Sequence, residues 1–115
     1  MNIATPIAAD SAALILPDLC QHLRSAAQSA EAFVAKARVS IRDLVSRDGK
    51  LDRKALDREQ HAVHGFGWYA TYAELFREVA NWAEALEADG KFGEVEALLA
   101  QLLISEYAAQ MLGGI

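Results

Sequence analysis

Three side chains of this sequence have the spacing to share a metal. Asp57, His61 and His64 stand at i, i+4 and i+7, which puts a carboxylate and two imidazoles on one helical face. With a fourth ligand from another helix they could hold zinc or iron. The stretch lacks a Glu-x-x-His pair or a second Cys/His cluster, so a polar helix edge with an exposed Asp57/His61 pair is the expectation, and no metal site. Acid–base chemistry would need two carboxylates converging in a cleft. Glu74 and Glu78 flank Arg77, and together with Glu84, Glu87, Glu94, Glu96 and Glu106 they fall on outward helix faces. Cys20 is the only cysteine. It allows no internal disulfide, fits a reducing cytoplasm and reads as a small core residue rather than a nucleophile. No Ser, His and Asp carry nucleophile spacing, and no glycine-rich turn follows a strand. The chain is therefore expected to hold no catalytic, cofactor-binding or metal residue of its own.

The densest remaining pattern runs from His64 to Leu86. Large apolar residues recur at Trp68, Tyr72, Leu75, Val79, Trp82 and Leu86, and a second line passes through Phe66, Tyr69, Ala73, Phe76, Ala80 and Ala83. Both lines fit a helix apolar over more than one neighbour's width, packed on two sides. Trp68 and Trp82 are expected as core anchors, so Trp82→Ala should cost about 3 to 5 kcal/mol. Gly65 and Gly67 each cost about 1 kcal/mol in a helix interior. A close neighbouring backbone, a mild kink or clearance for a ligand would compensate. Gly65, Phe66, Gly67, Trp68 and Tyr72 are accordingly the candidate ligand or interface residues.

These residues need helices to position them, and the punctuation supplies three long ones. Residues 1–16 read as an arm or short helix capped by Asp10 or Ser11. Pro17 opens the first long helix, with Asp18 in its first turn. Leu19, Leu23, Ala26, Ala30, Phe33, Ala37, Ile41 and Leu44 form its seam. Ser46 to Lys50 is turn chemistry around Asp48-Gly49. Asp52 caps a second helix expected to run unbroken to Ala88, and Gly90 stops it. The third helix spans Gly93 to Leu112, with Val95, Leu98, Leu99, Leu102, Leu103, Tyr107 and Met111 as its buried face. Residues 113–115 look like the start of a linker. The fold class expected is all-α, an antiparallel up-down-up bundle of three main helices over residues 17–112, with a possible short fourth at the N-terminus.

Composition narrows function by exclusion. The chain has 115 residues, 53% hydrophobic, with two prolines, enough for one domain with a real core. Its net charge of −5 argues against nucleic acid as a partner. The charge is uneven: residues 36–58 hold eight of the eleven basic residues against four acids, leaving three bases among twelve acids elsewhere. A solvated hairpin tip is the simplest reading of that cluster. No apolar run reaches the length of a membrane span and no secretory signal is present, so a cytoplasmic protein with no membrane partner is expected.

Several ordered segments carry a resemblance. His64-Gly65-Phe66-Gly67-Trp68-Tyr69-Ala70-Thr71-Tyr72, Asn81-Trp82-Ala83-Glu84-Ala85-Leu86, Gly90-Lys91-Phe92-Gly93-Glu94 and Glu106 to Ile115 resemble the N-terminal helical extension of acyl-CoA dehydrogenase-type flavoproteins, of the methylsuccinyl-CoA type. The likeness is read over residues 55 to 115. It implies an accessory domain with a structural or oligomerisation role. Its partners would be a dehydrogenase body, another subunit or a second copy in a homo-oligomer. FAD and the catalytic carboxylate belong to that body, and no residue of this chain matches them. The other reading is a free-standing helical module with an acyl or peptide groove near Gly65, Gly67 and Trp68.

Overall fold

Proline disfavours helical geometry on the residue before it, and in the computed structural model, which describes residues 3–4 and 14–114, helix α1 (Leu19–Val45) begins two residues beyond Pro17. Asp18 lies outside the helix with a left-handed backbone (φ 52°) and no side-chain cap. Its carbonyl accepts from the Gln21 and His22 amides instead. The expected start at Pro17 is corrected accordingly, since a short Asp tolerates the left-handed region. Residues 14–16 are non-helical, and the remainder of the expected short N-terminal helix falls on residues 5–13, outside those described.

The Asp48-Gly49 turn does more than end a helix. Both residues take positive φ (54° and 75°), the backbone that a two-residue antiparallel hairpin requires, so β1 (Ser46–Arg47) pairs with β2 (Lys50–Leu51). The Asp52 carboxylate then accepts from the Lys54 and Ala55 amides at 3.0 and 3.3 Å, capping α2 (Arg53–Arg58). The expected unbroken second helix is interrupted at Glu59 (φ −102°, ψ 21°), and α3 (Gln60–Ala88) follows. Short α2 lays buried Ala55 at the end of α1, and the chain redirects at Glu59 to run back along it.

α1 and α3 form the spine as an antiparallel pair. Alanines line their contact: Ala27 and Ala30 face Ala73, Ala80 and Ala83, all buried. Small side chains let the backbones approach, and buried Leu23 and Phe76 fill the space between. Across this contact the Arg24 guanidinium forks onto both Glu84 carboxylate oxygens at 2.8 and 2.7 Å and donates to Asn81 Oδ1 at 2.6 Å. α4 (Glu94–Gly113) returns along the pair and completes the expected all-α up-down-up bundle. Its inner face is Ala97, Ala100, Ile104, Tyr107, Ala108 and Met111. Gln101 ties the N-terminal segment down, accepting from the Leu16 amide and donating to the Leu14 carbonyl.

The molecule measures 57 × 26 × 18 Å. At 1.5 Å per residue the 20-residue α4 is about 30 Å long against about 40 Å for α1 and about 44 Å for α3, so it leaves only the tip of the α1–α3 spine uncovered. It ends level with Phe33 and Tyr69, and beyond that point the hairpin is two layers thick.

Candidate functional site

The metal face does not assemble. The break at Glu59 takes Asp57 off the helix that carries His61 and His64, so the i, i+4, i+7 register fails, and all three side chains are exposed. His64 has other work: its Nε2 accepts from Trp68 Nε1 at 2.9 Å. Among the described residues no three His, Cys, Asp or Glu gather as metal ligands would.

Glu74, Glu78 and Glu84 are ion-paired on the surface. Arg77 bonds Glu74 and lies 3.1 Å from Glu78, and the Glu74 carboxyl is held below its ordinary range by that hydrogen bond. Glu84 is lowered likewise by Arg24. Neither acid faces a cleft with a second, raised carboxyl, which is the arrangement acid–base catalysis uses. Cys20 is buried, and burial first, then the hydrogen bond and charge of Glu87, push its thiol up to about 12. A thiol so far from ionisation is a core side chain.

The five candidate contact residues separate into two places. Gly65 and Phe66 line an open groove of about 640 Å³ with Phe33, Ala37 and Ile41, beside the end of α4 at Gly114. Trp68 lies on the flank of α3, 41% exposed, its ring 5.9 Å from that of Tyr72. Tyr72 is buried, donates to Gln110 Oε1 at 2.8 Å and stacks 4.7 Å from Tyr107. Gly67 is exposed. No neighbouring backbone explains the glycines: a Cβ on either would meet nothing within 4 Å, and α3 passes through both without a break. The space over them is open.

A second surface was not anticipated. Val95, Leu99 and Leu102, expected in the core, are 63%, 56% and 68% exposed, and Trp82 is 42% exposed. The correction is one of register: the alanines at 97, 100 and 108 sit inside because they permit the close approach, which turns the larger residues outward. Val79, Trp82, Leu99, Leu102 and Leu103 line an open valley of about 620 Å³ between α3 and α4. The signal was present in α4 itself, whose apolar residues go all round the helix. A helix without a polar face is normally buried on more than one side.

Comparison with known proteins gives this arrangement a relative. Over 101 residues the chain is 44% identical to (2S)-methylsuccinyl-CoA dehydrogenase of Cereibacter sphaeroides. The match spans 88% of this chain and 18% of that enzyme's length, and so extends well upstream of residue 55, where the resemblance read from the sequence began. No family model matches the chain, and no solved structure matches it. Over nearly its whole length, then, the chain is similar to a short part of an acyl-CoA dehydrogenase of the methylsuccinyl-CoA type.

Proposed function

We propose that this chain is an accessory helical domain, N-terminal in position and cytoplasmic, of an acyl-CoA dehydrogenase-like flavoprotein, and that it works by packing rather than by catalysis. The observation that carries the reading is the 44% match to 18% of a dehydrogenase, combined with broad apolar faces on a chain whose described residues hold no converging acids. Apolar faces of this kind mark contact surfaces. In the whole protein FAD would lie in the dehydrogenase body and take hydrogen from a CoA thioester there, while this domain contributes helices and their contacts. No helix among the described residues is long and apolar enough to cross a membrane, in keeping with the proposed cytoplasmic location.

Calorimetric titration of the 115-residue chain with FAD and with methylsuccinyl-CoA tests the reading. The expected result is binding of neither. Saturable binding of either one to the isolated chain would overturn it. The alternative, a free-standing module for an acyl or peptide ligand, has the groove beside Gly65 and Phe66 in its favour. Titration with decanoyl-CoA separates the two: heat that disappears in Phe66→Glu would favour the module.

A further inference from the structure

We propose that the open groove at the tip of the spine binds a singly charged amphiphile, a medium-chain carboxylate, with its head between Lys36 and His61 and its alkyl chain laid past Phe33 and Phe66. The inference takes up the groove that the alternative reading invokes, and it holds equally for an accessory domain and for a free-standing module. Charge, shape and an uncompensated glycine point to this one occupant.

Charge separates this groove from the other apolar surfaces. The valley between α3 and α4 has a single charged residue in its lining, and that residue is an acid, Glu106. The tip groove has Lys36 on its α1 wall and His61 on its α3 wall, and no acid lines it. Neither side chain has an ion-pair partner among the described residues. One ammonium and one ring N–H on opposite walls match a head group with one negative charge and two acceptor oxygens, which is a carboxylate. Residues 36–58, with eight bases against four acids, draw an anion to this end of the molecule.

Shape selects the other half of the ligand. The groove, of about 640 Å³, meets a crevice of about 340 Å³ between α1 and α4 at Phe33 and Tyr69. That crevice is lined by Ala26, Ala30, Phe76 and Met111 and by no charged residue. From Lys36 back to Ala26, α1 rises about 15 Å at 1.5 Å per residue. An apolar run with a cation at one end suits an alkyl chain better than a peptide, whose backbone amides would find few partners there.

The glycine is Gly65, which lines the groove from within α3. Glycine weakens a helix interior, and with nothing within 4 Å of where its Cβ would go, no close neighbour compensates the loss. A bare wall at this point leaves room for a chain to lie in the groove.

The test is calorimetric titration of the 115-residue chain with sodium decanoate below its micelle concentration, and one saturable site is expected. Gly65→Leu puts a side chain into open space in the groove, so it should weaken binding at least about tenfold while helical circular dichroism is unchanged. Gly67→Leu, exposed and outside the groove lining, should leave binding intact. Lys36→Glu should raise the dissociation constant about three- to tenfold. Decan-1-ol, the same chain without the charge, should bind more weakly than decanoate by a similar factor. Absence of saturable binding overturns the proposal, and so does binding that survives Gly65→Leu. Binding that Lys36→Glu leaves unchanged, or that decan-1-ol matches, overturns the carboxylate assignment. The titrations with FAD and CoA thioesters are read separately, so failure of this site and failure of the dehydrogenase reading are distinguishable.

Discussion

Phe76 and Trp82 lie on the same helix, yet their surroundings differ. Phe76 is 2% exposed and closed in by the α1–α3 alanines, whereas Trp82 meets Phe92 edge-on at 6.4 Å and keeps nearly half its surface in solvent. Phe76→Ala should cost about 3 to 5 kcal/mol in chemical denaturation. Trp82→Ala, the residue expected from the sequence to carry that loss, should cost about 1 kcal/mol in the monomer. Cys20 gives a pH prediction with a definite sign. Its folded thiol is raised from an ordinary 9.0 to about 12, so the folded state holds a proton that the unfolded chain releases. The contribution is fully present below pH 9 and is lost as pH rises toward 12, so stability should fall across that window. In Cys20→Ala the fall should be shallower, as measured by urea unfolding across the same pH range.

At the scale of elements, caps and glycines have separable consequences. Asp52 holds two amides at the start of α2, and Asp52→Ala should lower stability by about 1 kcal/mol. Gly67 lies in α3 with open space where a Cβ would go, so Gly67→Ala should raise the stability of the isolated chain by about 0.5 to 1 kcal/mol. Thermal unfolding of the two variants checks both signs. The three long helices were legible because Pro17, Asp48-Gly49, Asp52 and Gly90 act locally, through the backbone geometry each allows. The break at Glu59 was not, because it follows from where buried Ala55 docks on α1, a contact between segments distant in sequence.

For the molecule as a whole, the shorter length of α4 divides the spine into a three-layered base and a two-layered tip. Amide protection follows burial and layer count. In native-state hydrogen exchange the slowest amides should lie in the base, within 23–34 of α1 and 72–83 of α3. Those of 38–45 and 60–66 should open sooner. Equal protection along the whole spine would mean that the tip is covered. The charge imbalance legible along the chain becomes spatial only in the fold: the hairpin gathers residues 36–58 at one end, and the acids around the 89–93 turn lie at the other.

Local chemistry and periodicity by themselves determined that this chain is helical and where its long helices turn. The order of the motifs from His64 to Ile115 determined its kinship, because a run of matched residues survives without knowledge of their contacts. Tertiary structure alone decided which stripe of each helix faces inward. Periodicity names the apolar lines on α3 and α4 but does not rank them. Alanines win the interior here because backbones close on small side chains, leaving Trp82, Leu99 and Leu102 on the surface. It also decided that Gly65 and Phe66 part from Trp68 and Tyr72. Neighbours one to four residues apart on a helix point to different sides, and only the position of α4 determines which side is covered.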